Sequence, residues 1–190
     1  IAKDASLRIP KLTLNAPPQG DSGAVAEAAR LLVAAENPVV VAGRVARTPV
    51  GMQRLIEFAE ALQVPVIDQG DNLPSRHPLL ATGGPALLRE ADVIIGLELT
   101  DFWGTVHRYR DQLERNYQSI IKRDAKLISI SSGELYLKSN YQDFQRYQDV
   151  DLALAAEAEA TLPALTEAVK RLLTDNRKRA LQDRGKKTAA

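Results

Sequence analysis

A glycine and an arginine directly follow a run of β-branched residues near the start of the chain. The run Pro38–Ala42 leads into Gly43 and Arg44, and Thr48 and Pro49 then form the pattern of a helix N-terminus. A single glycine lets the backbone approach a ligand closely, and a helix N-terminus favours a phosphate, to which Arg44 could donate hydrogen bonds. The same residues would also suit a tight strand-to-helix turn with an exposed arginine, so both interpretations stay open.

Two acidic residues, Glu98 and Asp101, follow a second apolar run, Asp92–Leu97. Paired carboxylates at the end of a strand could serve as general acid and base, or they could hold a ribose. Ordinary solvated acids at a strand end are the structural alternative, since position in a fold says little about function.

A third polar segment, Ser131–Gly133, closes the apolar run Lys126–Ser131. Its hydroxyls and backbone amides could face a nucleotide. The chain contains no Gly-x-Ser-x-Gly motif, so a hydrolase nucleophile is unsupported. The common nucleotide motifs, Gly-x-Gly-x-x-Gly and Gly-x-x-x-x-Gly-Lys-Ser/Thr, are also missing from the sequence.

Cysteine and histidine usage restricts the remaining chemistry. The sequence has no cysteine, which excludes disulfides, thiolate catalysis and cysteine-ligated metals. Its two histidines, His77 and His107, lie far apart and have no partner at the spacing of metal ligands. For His77, in a proline-flanked loop, we predict a surface or hydrogen-bonding role. We therefore predict no metal site and no catalytic residue on this chain.

Five apolar runs alternate with helical patterns along the chain, and these elements must position the polar residues. The predicted strands are Pro38–Ala42, Val64–Asp68, Asp92–Leu97, Lys126–Ser131 and Val150–Ala155. Predicted helices begin at a cap at Asp21 or Ser22, at Thr48 and at Pro85, and residues 100–125 are expected to be helical in part. Strands that alternate with helices pair in parallel through right-handed crossovers. The sequence thus predicts an α/β protein with a three-layer, Rossmann-like doubly wound sheet, mainly parallel, of five or six strands.

The two ends of the chain lack this alternation. Proline and glycine punctuate residues 1–21, which predicts an incoming linker. Residues 22–174 form the predicted domain. Residues 175–190 carry six basic and two acidic side chains without an apolar stripe, which predicts a solvated outgoing linker or tail. The chain begins with Ile1, so we expect a piece of a longer protein.

Composition places the chain among ordinary globular proteins. Of its 190 residues, 45% are hydrophobic and 26% charged, and the net charge of +1 gives no argument for nucleic acid or membrane as a partner. No apolar run approaches the roughly 20 residues of a membrane span, and no signal peptide is visible. We expect a cytoplasmic location.

The aromatic residues are unevenly distributed. Eight of the nine lie between Phe102 and Tyr147, interleaved with arginine and lysine. Stacking on nucleic acid is one interpretation. A contact surface to another domain or subunit and a small local core are two others, and the first of these two would favour dimers.

The order of the pieces resembles that of a known family. The matching segments are Ala35–Gly43, Leu55–Val66, Asn72–Pro74, His77–Leu79, Leu88–Ile95, Lys126–Ile130 and Ala158–Leu162. In order and spacing they are similar to the central domain of thiamine diphosphate-dependent enzymes of the acetolactate synthase, pyruvate decarboxylase and benzoylformate decarboxylase type. The resemblance covers residues 22–174.

This resemblance implies a middle domain cut from a larger enzyme. In the family, the first domain carries the catalytic glutamate, and the third carries a Gly-Asp-Gly…Asn motif that holds magnesium and the diphosphate. No Gly-Asp-Gly occurs in this chain. The resemblance thus implies thiamine diphosphate and magnesium bound mainly by the missing N- and C-terminal domains, which are the expected partners within a homo-oligomer.

The family suggests two roles for such a domain. It is either a scaffold of a lyase or transferase acting on 2-oxo acids or acyl-CoA, not catalytic alone, or a nucleotide-binding module that holds FAD or ADP at the carboxyl edge of the sheet. The positions that match the family's nucleotide-facing loops are Gly43, Arg44, Val45, Gln69, Gly70, Asn72, Leu97, Glu98 and Ser131. Two departures, a single glycine after the first strand and the aromatic insertion that begins with Glu98–Trp103, favour the scaffold role.

Overall fold

The computed structural model describes residues 10–11, 13, 15–111, 116–136 and 147–189, with side chains except at 109–111, 135–136 and 187–189. The helices are α1 (Ser22–Ala34), α2 (Pro49–Leu62), α3 (Gly84–Glu90), α4 (Phe102–Val106), α5 (Ala158–Leu172) and α6 (Asp175–Ala189). The strands are β1 (Pro38–Ala42), β2 (Val66–Asp68), β3 (Val93–Leu97), β4 (His107–Asp111), β5 (Asn116–Ser119), β6 (Lys126–Ile130) and β7 (Leu152–Leu154). A 3-10 helix spans Ser132–Tyr136.

Five of the strands form one sheet in the order β2-β1-β3-β6-β7, and every neighbouring pair is parallel. The strand order reverses between β1 and β3, because β2 lies on one side of β1 and all later strands lie on the other. This reversal is the topological switch point, where open α/β sheets bind ligands at the carboxyl ends of their strands. The predicted α/β class with a parallel sheet is confirmed.

The sheet is covered by helices on both faces. Along β1, Val40 and Ala42 pack into a core cluster shared with α1, α2 and α5. The alternate residues, Val39 and Val41, belong to a second cluster with residues of α3 and α4. A strand buried on both faces must be apolar at every position, which is why β1 has a continuous β-branched run.

The caps of α1 and α2 lie where the sequence predicted them, and α3 begins at Gly84, one residue before the predicted Pro85. Asp21 caps α1, and its side chain accepts hydrogen bonds from Gly23 N and Ala24 N at 2.9 and 3.1 Å. Thr48 caps α2 with Pro49 in the first turn. Short polar side chains at these positions satisfy amide groups that have no partner within the helix.

Residues 100–125 are helical in part, as predicted, but they also contain a hairpin that the sequence did not predict. Apart from the five residues of α4, this region contains an antiparallel hairpin of β4 and β5, in which Arg108 pairs with Gln118 and His107 with Ser119. The four residues of β5 are all exposed. Strand β5 therefore has no buried face, and its residues show no alternation of apolar and polar side chains that would predict a strand. Residues 112–115 lie outside the described residues.

Residues 175–189 form helix α6 where the sequence predicted a solvated segment. Leu181 is 2% exposed, and Arg177 and Arg184 donate hydrogen bonds to backbone carbonyls of the domain. The three residues recur at intervals of four and three, so they share one face of the helix. This face carries two partly buried arginines beside the single buried leucine, which explains why a search for an apolar stripe missed it.

The described end of the predicted incoming linker also contacts the domain. The carbonyl of Pro18 accepts a hydrogen bond from Glu157 N at 2.9 Å, and Gly20 N donates to Thr161 Oγ1 at 3.0 Å. Residues 1–9 of that predicted linker lie outside the described residues. In the described ranges, none of the helices combines the length and the hydropathy needed to cross a bilayer.

An ion pair fastens the start of β6 to the residue before β7. Asp151 accepts hydrogen bonds from Lys126 Nζ at 2.7 Å and from Leu127 N at 2.9 Å. Partial burial opposes ionisation, but the hydrogen bonds from Lys126 and Leu127 outweigh it and hold the pKa of Asp151 below its usual value. The carboxylate is thus favoured in the folded state.

We expect Asp151→Asn to lower stability in a pH-dependent way. Because the folded pKa of Asp151 is lowered, its contribution is complete above the unfolded pKa of about 4 and is lost as the pH falls through the folded value. Urea unfolding at pH 7, 5, 4 and 3 should show a wild-type advantage that shrinks below about pH 4. Asp149→Asn, an exposed acid nearby, is the control. A wild-type advantage that does not change with pH would contradict this account.

Candidate functional site at the carboxyl edge of the sheet

All nine residues predicted to face a nucleotide lie at the carboxyl edge of the sheet. Three follow β1, three follow β2, two lie at the end of β3 and one follows β6, in this order: Gly43, Arg44, Val45, Gln69, Gly70, Asn72, Leu97, Glu98 and Ser131. Parallel strands end at the same edge, so residues distant in sequence are brought together there. Most of them make hydrogen bonds or packing contacts with one another.

Asn72 ties the loop after β2 to the loop after β1. Its side chain is buried, with Nδ2 donating to the carbonyl of Gly43 at 2.6 Å and to Asp68 Oδ1 at 2.7 Å. Its Oδ1 accepts from Ala46 N at 2.8 Å. Asp68 in turn accepts from the backbone amides of Gly70, Asn72 and Leu73. The amide of Asn72 is fully engaged within the protein.

Glu98 ties the end of β3 to the segments after β6 and before α5. Its carboxylate accepts hydrogen bonds from Ser131 Oγ at 3.2 Å, from the amide and hydroxyl of Ser132, and from Ala158 N at 2.9 Å. The backbone of Glu98 has a φ of 49°, in the left-handed region that is unfavourable for residues other than glycine. The carboxylate lies at the N-termini of the 3-10 helix and of α5, where negative charge is stabilised.

The two glycines of the edge permit loop-to-loop contact. A Cβ on Gly43 would overlap the backbone carbonyl of Glu98, and a Cβ on Gly70 would lie 2.5 Å from the carbonyl oxygen of Gly43. The β1–β3 hydrogen bonding also continues past the strands, from Gly43 N to Leu97 O and from Arg44 N to Glu98 O at 2.8 and 3.2 Å. The backbone of Glu98 therefore occupies the space that the missing side chain of Gly43 leaves open.

The exposed part of the edge is small. Gly43, Val45, Asn72, Leu97 and Ser131 are buried, whereas Arg44, Gln69 and Gly70 are exposed. Gln69 Nε2 donates to Thr105 Oγ1 at 3.2 Å, which links the rim to α4. Arg44 is the one cationic side chain among these nine residues, and it is exposed.

Glu98 and Asp101 have separate structural partners. Asp101 caps α4, where its Oδ1 accepts a hydrogen bond from Gly104 N at 2.7 Å and its carbonyl accepts one from Thr105 Oγ1 at 2.9 Å. Glu98 accepts hydrogen bonds from backbone amides at the starts of the 3-10 helix and of α5. The acid–base pairing considered from the sequence is thus replaced by two helix-capping roles.

Two acids at the start of α5 were not singled out in the sequence. Glu157 is 7% exposed, caps α5 and contacts the guanidinium of Arg47. Glu159 accepts a hydrogen bond from Thr48 Oγ1 at 2.7 Å. The Glu-x-Glu spacing at the start of α5 was the available signal, because acids are favoured at the cap and in the first turn of a helix.

The aromatic insertion forms a local stack. Trp103 and His107 lie parallel with ring centroids 4.2 Å apart, and Tyr117 meets both edge-on at 4.9 and 5.6 Å. Tyr117 and Tyr147 are 60% and 50% exposed. The side chain of Tyr136 and the residues Tyr141 and Phe144 lie outside the described part.

His77, in the loop before α3, has a hydrogen-bonding role. Its ring accepts a hydrogen bond from Leu79 N and lies 3.5 Å from the carboxylate of Glu60.

The described residues include no group of three or more acidic or histidine side chains that could hold a metal ion.

The strand order, the three layers and the hydrogen-bonded loops at the carboxyl edge define the class of this protein. It is a doubly wound α/β domain whose crevice at the switch point is occupied by its own polar groups.

The chain belongs to the thiamine pyrophosphate enzyme family, as its central domain. The family model for that domain matches residues 25–165. Thiamine pyrophosphate is another name for thiamine diphosphate, so the resemblance found in the sequence is confirmed. No curated protein sequence matches the chain.

Solved structures share the fold. A protein from Mycobacterium smegmatis, described as a thiamin diphosphate-dependent enzyme, is 23% identical with a TM-score of 0.61, over 83% of this chain and 30% of that one. Benzoylformate decarboxylase from Polynucleobacter necessarius is 20% identical with a TM-score of 0.58, over 86% and 30%. A 4-hydroxybenzoylformate decarboxylase from Rhodococcus jostii RHA1 is 22% identical with a TM-score of 0.55, over 85% and 29%. The chain therefore spans less than a third of each of these structures.

Proposed function

We propose that this chain is the scaffold domain of a thiamine diphosphate-dependent lyase or transferase and is not catalytic alone. The observation that carries the proposal is the cross-bonding of the carboxyl edge. The carboxylate of Glu98 and the amide of Asn72 are used up by partners within the chain. A nucleotide would have to replace these bonds to use the same groups, and buried polar groups are costly to leave unpaired.

The names of two similar structures support a proposal for the substrate class. Among the structures described above are decarboxylases of benzoylformate and 4-hydroxybenzoylformate. We propose that the whole enzyme acts on 2-oxo acids, with acyl-CoA as the second class. Thiamine diphosphate and magnesium would be held mainly by domains outside this chain, in a cytoplasmic homo-oligomer, and the exposed Tyr117 and Tyr147 are candidate contacts to those domains.

A ligand panel tests the scaffold role on this chain. Thermal unfolding is measured alone and with FAD, ADP, coenzyme A, or thiamine diphosphate plus magnesium. A ligand at 100 times its Kd would add about 2.7 kcal/mol, or about 5–10 °C in Tm for a chain of this size. We expect less than about 1 °C with each ligand, because the polar groups of the edge are already paired.

A shift with FAD or ADP would contradict the scaffold role and favour the nucleotide-binding module. Arg44→Ala should then remove the shift. Arg89→Ala, which replaces an exposed arginine of α3, should keep it.

The enzyme assignment is tested on the longer protein. It should decarboxylate 2-oxo acids such as benzoylformate only with thiamine diphosphate and magnesium. A reading frame that ends near Ala190 would contradict the assignment.

A further inference from the structure

We propose that helix α6 is a detachable strap, which docks on the domain as a unit of its own and can come off while the five-stranded sheet stays folded. The strap consists of Asp175–Ala189. The inference goes beyond the proposed scaffold function and does not depend on it, because it concerns only how this chain holds α6.

The apolar contact between α6 and the domain is small. Leu181 is the one buried apolar side chain among the described side chains of α6. Helix α5 has the same length and buries four apolar side chains, Ala158, Leu162, Leu165 and Val169. Because burial of apolar surface is the main source of folding stability, α6 gains much less from its contact with the domain than α5 does.

Two arginines bind α6 to the C-terminal ends of two other helices. Arg184 donates hydrogen bonds to the carbonyls of Leu62 and Gln63 at the end of α2. Arg177 and Arg184 both donate to the carbonyl of Ala35, which follows α1. Cations are favoured at helix C-termini, where the carbonyls have no partner within the helix. These bonds give α6 a defined docked position.

Two unfavourable contributions oppose this docking. Burial, together with repulsion from Arg177, lowers the pKa of Arg184 to about 10. Arg177 Nε is buried without a hydrogen-bond partner in the described part of the chain. A buried charge and a buried donor without an acceptor both reduce what the hydrogen bonds contribute. We therefore expect α6 to come off at a lower free energy than the unfolding of the sheet requires.

Detachment changes both α6 and the surface beneath it. A segment of 15 residues is only marginally stable as an isolated helix, so α6 unfolds when it comes off. Detachment also removes one wall of a cavity of about 450 Å³, which Gln182 and Lys186 of α6 form together with Gln63 and Leu79.

Native-state hydrogen exchange on the wild-type chain tests the proposal. We expect the amides of α6 to be protected about 100-fold relative to an unstructured chain, and those of β1 and β3 at least about 10,000-fold. Low concentrations of urea should speed exchange more steeply in the strands than in α6, because unfolding of the sheet exposes more surface. Equal protection and equal urea dependence in α6 and the strands would overturn the proposal, as would a complete lack of protection in α6.

A double variant tests whether the sheet stays folded without docking. Arg184→Ala combined with Leu181→Ala removes a main polar contact and the buried apolar side chain. We expect the amides of α6 to exchange at the rate of an unstructured chain, while β1 and β3 stay protected. Exchange in the strands should speed up by no more than the wild-type protection of α6, about 100-fold, because complete detachment is the largest effect the two substitutions have.

The matched control also replaces one arginine and one leucine, but both are exposed. Arg179→Ala combined with Leu172→Ala should change all exchange rates by less than about threefold. If the strands of the Arg184→Ala, Leu181→Ala variant exchange faster than the stated limit, or if that variant does not fold, α6 belongs to the same cooperative unit as the sheet and the proposal is wrong. Protection of α6 that persists in this variant would equally contradict it.

Discussion

Replacing Glu98 by alanine is expected to lower the free energy of unfolding by about 3 kcal/mol. The carboxylate accepts from Ser132 N and from Ala158 N, which lie at the starts of two helical segments, as well as from two serine hydroxyls. Hydrogen bonds to a charged group are worth more than neutral ones, and the amides at helix N-termini have no partner within the helix. Urea unfolding monitored by circular dichroism measures the loss.

Two further substitutions at Glu98 separate backbone from side chain. Glu98→Gly should be about 1 kcal/mol less damaging than Glu98→Ala, because glycine adopts the left-handed φ of 49° without strain. Glu98→Gln should lie between alanine and wild type, since one oxygen still accepts while the new NH2 group faces donors. If all three variants stay within about 0.5 kcal/mol of the wild type, the carboxylate does not hold the edge together.

Replacing Arg184 by alanine is expected to cost about 2 kcal/mol and to loosen α6. The guanidinium donates to the carbonyls of Ala35 and Glu36 beyond α1, and to those of Leu62 and Gln63 at the end of α2. A cation at the C-terminal ends of two helices is favoured by both helix dipoles. Burial, reinforced by the charge of Arg177, lowers the pKa of Arg184 to about 10, so the group remains charged at neutral pH.

The net effect is smaller than the number of hydrogen bonds suggests, because burying the charge offsets part of their contribution. Arg184→Lys should recover about half of the loss, since an ammonium lacks the planar fork that reaches several carbonyls at once. Arg179→Ala is the matched control. Arg179 is an exposed arginine of the same helix, and its Nη2 bonds Asn176 nearby. Hydrogen exchange of α6 should rise in Arg184→Ala and stay unchanged in Arg179→Ala. Equal behaviour of the two variants would contradict an anchoring role for Arg184.

The strands of the main sheet and the starts of α1 and α2 could be predicted from the sequence, because each depends on residues that are adjacent in the chain. The β-branched run of β1 is long enough for a strand and too short for a helix, and Thr48–Pro49 specifies a helix start from two adjacent residues. The alternation of such elements then leaves a parallel doubly wound sheet as the natural topology. The hairpin and helix α6 were not predicted, because all four residues of β5 are exposed and α6 places only Leu181 beside arginines on the face that meets the domain.

The carboxyl edge of the sheet also combines features that could be predicted with features that could not. Gly43, Glu98 and Ser131 could be placed at one edge from the sequence, because each directly follows a predicted strand. Their partners could not, since Ala158 lies 60 residues from Glu98 along the chain and the Glu159–Arg47 hydrogen bond spans 112. Side-chain pairing over such separations depends on how loops and helices meet.

The sequence by itself therefore determined the α/β class, the order of the strands along the chain and the family, because these depend on local pattern and on the spacing of segments. Only the tertiary structure decided what the polar residues of the edge do. Packing places the side-chain oxygens of Glu98, Asn72 and Glu159 next to backbone amides at the starts of loops and helices. These oxygens therefore accept hydrogen bonds from within the protein. The same residue types, left facing solvent, would have remained candidates for holding a ligand.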